Sequence, residues 1–295
     1  MSRKYVYEQV DVFTNKPLRG NQLAVFHTPG KLTKSQMQLI AREMNFSEST
    51  FVYPSRVSGA AAKVRIFTPF EELPFAGHPT LGTAYVLASR WKGKRPDKLV
   101  LELGIGEIEV DIEYSGRKIR RLGMHQNVPR FGSALQNRGQ AARALGVKRF
   151  DILGGGVVSN GLDFLIVEVQ NDEAVERARL NLEEASIVVN RHRVVGIYLF
   201  SRNEGKKLLV HARFFAPTLG VPEDPATGSA AGALGGYLAR ILKFPPELQL
   251  RIEQGKEMGR PSTIEVDVRC ERGVVFSVTV SGQVVRVGEG TIVLS

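Results

Sequence analysis

A short pattern that occurs twice constrains the fold of this 295-residue chain more than any other feature. Residues 213–217 (Arg-Phe-Phe-Ala-Pro) repeat residues 65–69 (Arg-Ile-Phe-Thr-Pro), and Gly228-Ser229 then stands where Gly77-His78 stands in the first copy. The second copy contains three additional loop residues, and Leu-Ala follows ten and eleven residues after the glycine in both. Because order and spacing recur together, we infer an internal duplication rather than two strand-to-helix turns that are similar by chance.

Each copy predicts a buried strand, a polar loop and a helix. The alternation around Ile66 suits a strand, prolines mark the loop, and residues 80–91 have helical composition. Gly77 and Gly228 therefore lie at helix N-termini, whose first amides have no partner within the helix. Two such halves, each directing a helix N-terminus at the other, would enclose one cleft that favours an anion.

The composition is that of a globular protein, with 43% hydrophobic and 24% charged residues, and the length with the duplication favours two domains. A single cysteine excludes an intramolecular disulfide and a cysteine-rich metal site, which favours a reducing compartment. Residues 1–13 alternate like a strand rather than a signal peptide, and no apolar run reaches the roughly 18 residues of a membrane span. We expect a cytoplasmic protein that does not act at a membrane.

The net charge of +10 is compatible with binding to nucleic acid, an acidic membrane or an acidic substrate. The basic residues are scattered, as at 117–121 and 191–193, and no basic stripe contains interleaved aromatic residues. We therefore favour a solvated basic surface and no nucleic-acid partner. The nucleic-acid alternative would require an affinity that falls steeply with salt.

Periodicity and turn residues predict the remaining elements. The predicted strands cover residues 5–13, 23–26, 50–53, 98–114 (two strands joined through Gly104 and Gly106), 118–124, 163–169, 194–202, 208–215, 248–253, 263–270, 274–280 and 284–294. The predicted helices cover residues 33–45, 135–145, 173–188 and 229–242, and Thr33 with Gln36 forms a capping box at the first. Cys270 alternates with charged residues, which predicts a buried neutral thiol.

Four polar residues begin helices or strands and could carry chemistry: Glu48, His78, Asp224 and Ser229. Partial burial among hydroxyl and aromatic residues would raise the pKa of Glu48 towards neutrality, where a carboxyl both gives and takes protons. An exposed loop glutamate would fit the same pattern. Likewise, His78 could be a structural histidine, Asp224 a turn residue and Ser229 a helix cap.

Several known cofactor-binding, metal-binding and catalytic motifs are missing from the sequence. Residues 154–156 (Gly-Gly-Gly) lack the spacing of a dinucleotide fingerprint, the five histidines lack metal-ligand spacing, and Ser229 lacks a nucleophile elbow. The residues that remain suit proton transfer without a metal.

Five segments together resemble the phenazine-biosynthesis PhzF-like proteins. They are residues 20–21 (Gly-Asn), 44–52 (Met-Asn-Phe-Ser-Glu-Ser-Thr-Phe-Val), 65–82, 223–232 (Glu-Asp-Pro-Ala-Thr-Gly-Ser-Ala-Ala-Gly), and 254–255 (Gln-Gly) with 259–262 (Gly-Arg-Pro-Ser). The resemblance implies an α+β fold of the diaminopimelate epimerase-like type, in which two pseudo-symmetric lobes each wrap a curved, barrel-like, mostly antiparallel sheet around a central helix. We expect an N-terminal lobe at 1–117, completed by a strand at 283–295, and a C-terminal lobe at 118–282.

The resemblance also implies a cofactor-independent isomerase with its active site between the lobes. The family's namesake moves a proton within trans-2,3-dihydro-3-hydroxyanthranilate, and its glutamate shuttle matches Glu48. Its other active-site residues match His78, Asp224 and Ser229. The amides around Gly77 and Gly228, with the Ser229 hydroxyl, would hold the carboxylate of a small cyclic substrate, and a homodimer is expected from the family.

Relatives of this fold that epimerise amino acids use two cysteines, one in each lobe. Neither helix start carries a cysteine here, so the resemblance makes Glu48 the natural single shuttle. Gln22 replaces a proline that often follows Gly-Asn in the family, at a position we interpret as structural. Two alternatives stay open: a metabolite-binding protein without turnover, and an isomerase or epimerase that acts on a different small carboxylate.

Overall fold

The computed structural model describes residues 3–27, 30–203, 208–219 and 221–294. The chain divides into two compact units, which we call unit 1 (residues 1–125 and 281–295) and unit 2 (residues 126–280). The outermost residues of the predicted lobes, Met1 and Ser295, lie outside the described residues. Among those that are described, no helix has both the length and the apolar character that crossing a bilayer would need.

The elements of each unit follow in chain order. Unit 1 contains β1 (Arg3–Val12), β2 (Asn21–Phe26), α1 (Lys34–Met44), β3 (Glu48–Tyr53), β4 (Ala62–Phe67), β5 (Glu72–Leu73), α2 (Gly77–Ser89), β6 (Lys98–Leu103), β7 (Gly106–Ser115), β8 (Lys118–Gln126) and, from the end of the chain, β18 (Val284–Leu294). Unit 2 contains β9 (Arg130–Ala134), α3 (Arg138–Leu145), β10 (Ile152–Ser159), β11 (Asp163–Val169), α4 (Asp172–Glu176), α5 (Leu182–His192), β12 (Gly196–Asn203), β13 (Leu208–Ala216), β14 (Val221–Asp224), α6 (Gly228–Ile241), β15 (Glu247–Gln254), β16 (Ser262–Glu271) and β17 (Val274–Gly282). Short 3-10 helices precede β10 and β14.

Unit 1 is a mostly antiparallel sheet around one buried helix. Strand β1 pairs antiparallel with β18 and β2, β2 runs parallel to β3, and β3 pairs antiparallel with β4. Strand β4 runs parallel to β6, which continues antiparallel into β7 and β8. Helix α2 packs against β1, β2, β3, β6 and β18, and most of its residues are buried. A Cβ at Gly82 would lie 2.5 Å from Leu23, so the glycine permits this close approach.

Unit 2 repeats this arrangement. Strand β10 pairs antiparallel with β9 and β11, β11 runs parallel to β12, and β12 pairs antiparallel with β13. Strand β13 runs parallel to β15, which pairs antiparallel with β16. Helix α6 packs against β10, β11, β15 and β16, and a Cβ at Gly235 would lie 2.8 Å from Val266. The shared order of pairing confirms the internal duplication and the α+β fold with a central helix in each half.

The structure also confirms several local predictions. Thr33 caps α1 and forms the predicted capping box with Gln36, because both partners lie within one turn. Cys270 is buried on β16, and desolvation raises the pKa of its thiol, as expected for a neutral core cysteine.

Several features of the structure differ from the sequence predictions. Helix α2 begins at Gly77, which confirms the predicted helix N-terminus there, although helical composition was recognised only from residue 80; His78 lies within the first turn. The helical stretch predicted at 173–188 is two helices, α4 and α5, with a break at 177–181. Strand β10 was missed because residues 154–156 are glycines, which have low strand propensity, although Gly155 lies against the Ile166 backbone of β11.

Candidate active site

Glu48 is the first residue of β3, where that strand starts beside β2. It lies opposite Leu23 in the parallel pair, and the next residues, Ser49 and Thr50, are buried. The strand therefore begins two residues earlier than predicted, because β2 extends the ladder to this position. The Glu48 side chain is only 14% exposed, so the alternative of a solvent-exposed loop glutamate is wrong.

His78 is the second residue of α2 and is buried, with 3% of its surface exposed. Desolvation lowers the pKa of its imidazole to about 3, although a backbone hydrogen bond with Gln22 acts in the opposite direction. The ring is therefore neutral at physiological pH and carries a proton on one nitrogen.

The two nitrogens of this ring have different neighbours. The Asn21 side-chain amide lies within hydrogen-bond distance of His78 Nδ1, at 3.1 Å. His78 Nε2 lies 3.4 Å from Glu48 Oε2. Unit 1 thus places a neutral imidazole beside a largely buried carboxyl group, an arrangement that can exchange and orient protons.

The first turn of α2 also presents backbone donors. Ala76 is the N-cap residue and forms no side-chain capping hydrogen bond, and no acidic residue lies in the first turn. Since the first amides of a helix have no partner within it, Gly77 begins a segment suited to an anion such as a carboxylate.

Asp224, the last residue of β14, is buried in unit 2. The Thr227 hydroxyl donates a hydrogen bond of 2.6 Å to Asp224 Oδ2. Thr227 is also the N-cap residue of α6 but makes no side-chain capping hydrogen bond, since its hydroxyl is directed to the aspartate. Asp224 is therefore fixed in a hydrogen-bonded turn beside the start of the helix.

Gln254 holds this turn in place from the end of β15. Its Nε2 group donates to the Asp224 backbone oxygen (2.8 Å) and to Thr227 Oγ1 (3.1 Å). Its Oε1 atom accepts from the Tyr198 hydroxyl (2.8 Å) and from the Thr227 amide (3.2 Å). Desolvation, followed by the charge of Asp224, raises the pKa of Tyr198, so its hydroxyl remains a donor. The Asp224 turn is thus fixed by a fully buried network.

The start of α6 is anchored by two buried amides. Gln126 donates to the Gly228 carbonyl (3.1 Å), and Asn160 donates to the Ser229 carbonyl (2.7 Å) and to Gln126 Oε1 (2.6 Å). Ser229 is buried and lies one position after Gly228, so it is not the cap residue.

The predicted residues therefore form two groups. Glu48, Gly77 and His78 lie together in unit 1, and Asp224, Gly228 and Ser229 lie together in unit 2. The sequence analysis assigned no role to Asn21 or Gln254. For Gln254 a signal existed, because it occupies an inward position in a strand whose other inward residues are apolar.

A further cluster of side chains in unit 2 consists of residue types that can bind a metal ion. Ligand atoms of Glu176, His211 and Glu257 lie within 4.8 Å of one another, although the sequence shows no metal-ligand spacing. His211 Nε2 lies within hydrogen-bond distance of Glu257 (2.8 Å), and Lys256 forms an ion pair with Glu176 (2.8 Å), so interactions within the protein account for these contacts.

Comparison with known proteins first defines the class. The structure of a hydroxyproline epimerase from Agrobacterium vitis with bound trans-4-hydroxy-L-proline is similar to this one. The match covers 99% of this chain and 93% of the epimerase chain, with a TM-score of 0.72 and 12% identity. The protein thus has the epimerase-like α+β fold. The profile of the family described as phenazine biosynthesis-like protein matches residues 10–290, and the chain belongs to that family.

Two relatives are similar over their whole length. A trans-2,3-dihydro-3-hydroxyanthranilate isomerase from Pseudomonas fluorescens is 38% identical over 290 residues, with 98% of this chain and 99% of the relative covered. The crystal structure of a PhzF-family phenazine biosynthesis protein from Bacillus anthracis has a TM-score of 0.88 and 29% identity, covering 99% of this chain and 100% of the other. The protein is an isomerase of this family.

Proposed function

We propose that this isomerase moves a proton within a small cyclic carboxylate that carries amino or hydroxy groups, without a cofactor or metal. The substrate class is that of trans-2,3-dihydro-3-hydroxyanthranilate, for which the Pseudomonas fluorescens relative is named. Glu48 is the general acid and base.

The observation that carries this proposal is the contact of 3.4 Å between Glu48 Oε2 and His78 Nε2. A charged imidazolium at this distance would hold the carboxylate in its ionised form and weaken it as a base. The low pKa of His78 removes that charge at physiological pH and leaves a neutral imidazole. His78 can therefore orient Glu48 or a polar substrate group without suppressing proton transfer.

The proton route needs only one carboxyl group. Glu48 takes a proton from a carbon of the substrate ring, the electron pair shifts along the conjugated bonds, and the same carboxylic acid returns the proton to another ring carbon. Atoms and electrons balance within the substrate, so the reaction uses no external oxidant or reductant.

The other predicted residues would bind the substrate. We propose that the amides around Gly77 and Gly228, with the Ser229 hydroxyl, hold the carboxylate, and that Asp224 orients an amine or hydroxyl. A negative group at such a helix end gains about 0.3 to 1 kcal/mol, and more when it is partly buried. If these residues serve the substrate on which Glu48 acts, Ser229→Ala will raise KM for that substrate while kcat changes little.

Solvent exchange tests the central step. In deuterium oxide, the wild type should incorporate solvent deuterium into trans-2,3-dihydro-3-hydroxyanthranilate or its product, measured by mass spectrometry. Glu48→Gln should slow incorporation by about 10² to 10⁴ because it removes the acid-base group. Glu109→Gln is the matched control, since Glu109 is an exposed residue of β7 that pairs with Lys98.

Other results of the exchange experiment would favour a different function or mechanism. Binding without exchange in the wild type would favour a metabolite-binding protein, and exchange only with other cyclic amino carboxylates would assign a different substrate. Full exchange in Glu48→Gln would remove Glu48 from the mechanism.

Two further measurements test the remaining parts of the proposal. Activity that persists after dialysis against a chelator supports the metal-free reaction. Sedimentation at twice the 32.5 kDa chain mass supports the proposed homodimer.

A further inference from the structure

The basic residues at 117–120, which appear scattered in the sequence, line a groove in unit 1 together with aromatic residues from distant positions. The groove has a volume of about 600 Å³. Arg95, Arg117, Lys118 and Arg120 contribute its cations. We call it the basic groove. Such a volume suits a small organic ligand, for which pockets of about 300 to 1,000 Å³ are typical.

Several cations elsewhere in the protein pair with carboxylates, whereas those of the basic groove have no acidic partner among the described residues. Arg65, Arg177 and Arg213, for example, pair with carboxylates at 2.6 to 2.7 Å. Among the described residues, no carboxylate pairs with Arg117, Lys118 or Arg120, and none of the residues that line the groove is acidic. The groove therefore concentrates positive charge that an anionic ligand would neutralise.

One wall of the groove is held rigidly. Arg95 Nη1 donates to the Arg117 carbonyl (3.0 Å) and to the Gly116 carbonyl (3.4 Å), which fixes the turn between β7 and β8. Its guanidinium lies 5.7 Å from the centre of the Tyr114 ring, and the Tyr114 hydroxyl donates to the Pro96 carbonyl over 2.9 Å. The turn that carries Arg117 and Lys118 is thus preorganised, which reduces the entropy cost of binding.

The groove also presents aromatic surface. Trp91, the only tryptophan of the chain, lines it and is 42% exposed, and Tyr85 of α2 lines it as well. Exposed aromatic faces stack on planar rings, and arginine binds phosphate through paired hydrogen bonds. A site that combines unpaired arginines with exposed aromatic rings suits a ligand that has both phosphate groups and a planar ring.

We propose that the basic groove binds a small aromatic polyanion of the nucleotide class, with its phosphates on Arg117, Lys118 and Arg120 and its ring against Trp91. This site uses none of the residues assigned to isomerisation. It also gives four of the 40 basic residues a specific role, where the sequence analysis favoured only a solvated surface.

The fluorescence of Trp91 reports binding directly, because no other tryptophan contributes. Titration of the full chain with adenosine diphosphate should give a saturable change that weakens as salt rises. Arg117→Gln and Arg120→Gln should each raise Kd by about tenfold through the loss of a charged hydrogen bond. Arg272→Gln is the control, since Arg272 is 91% exposed and lies outside the groove.

Several results would overturn the proposal. No saturable change at millimolar adenosine diphosphate would show that the groove does not bind this class, and equal weakening by Arg272→Gln would show unspecific charge attraction. Pyrophosphate that binds as tightly as adenosine diphosphate would exclude recognition of the ring. Oligonucleotides whose affinity increases with length beyond that of the nucleotide would assign a nucleic-acid partner instead. Calorimetry with Trp91→Phe checks that the optical signal reflects binding.

Discussion

At the scale of single residues, the duplication explains why only one half carries the proposed shuttle. Ser49 pairs with Phe67, and Ile197 pairs with Phe215 at the equivalent place in the second copy. The equivalent of Glu48 is therefore the residue before Ile197, which is Gly196. A Cβ there would lie 2.5 Å from the Phe214 ring and 2.6 Å from the Phe215 carbonyl, so unit 2 has no room for a carboxylate. This asymmetry fits one shuttling group rather than a pair of bases.

His78 should make the stability of the protein depend on pH. Its pKa is about 3 in the folded state and 6.5 in the unfolded chain, so between these values the unfolded chain binds more protons. The free energy of unfolding should therefore fall as pH decreases from 6.5 towards 3, by at most about 1.4 kcal/mol per unit. Urea unfolding at several pH values measures this dependence.

A substitution isolates the contribution of this histidine. His78→Gln should flatten the dependence, because the variant has no buried imidazole to keep neutral. Val274→Ala should preserve it, since Val274 is exposed and has no titratable group. Parallel curves for wild type and His78→Gln would contradict the assignment.

At the scale of elements, both halves fix the loop before the central helix in the same way. Arg65 binds Glu72 through two hydrogen bonds of 2.7 and 2.8 Å, and Arg213 binds Glu223 with the same two distances. Each guanidinium also lies over a phenylalanine ring, at 5.3 Å in unit 1 and 5.0 Å in unit 2. The repeated arginine of the sequence pattern is therefore structural, and it connects β4 to β5 and β13 to β14.

Gln254 should be the most sensitive polar residue of β15. Gln254→Leu keeps a similar volume but leaves the Tyr198 hydroxyl and the Asp224 carbonyl buried without this partner, which should cost about 3 kcal/mol of unfolding free energy. Gln249→Leu on the exposed face of the same strand should cost about 0.5 kcal/mol or less. Denaturant unfolding compares the two variants, and equal losses would show that the buried network contributes little.

The sequence predicts local features better than distant ones for a physical reason. Thr33 and Gln36 lie within one helical turn, so their capping box follows from sequence spacing alone. The partnership of Asp224 with Gln254 spans 30 residues and depends on strand pairing that no local signal encodes. The sequence selected Glu48 and His78 as candidates and the family resemblance suggested their roles, whereas their 3.4 Å contact required the fold.

At the scale of the whole molecule, the last strand completes the unit that the first strand begins. Strand β18 pairs with β1 from Arg3↔Leu294 to Val12↔Val284, and Arg286 donates to Glu8 over 2.9 Å. Unit 1 therefore depends on residues that are more than 270 positions apart in the sequence.

Removal of residues 284–295 should destabilise unit 1 selectively. Hydrogen exchange followed by mass spectrometry should show fast exchange in β1 and β2, while β11, β12 and β13 remain protected, because they pair within unit 2. Deletion of residues 294–295 alone is the control, since it removes only the final pair with Arg3. Protection of β1 in the longer deletion would show that β18 is dispensable.

The late position of β18 has a consequence for biosynthesis. During translation, every residue of unit 2 is synthesised before the strand that closes unit 1. The N-terminal segment therefore waits through nearly all of synthesis with an open sheet edge that chaperones would need to shield.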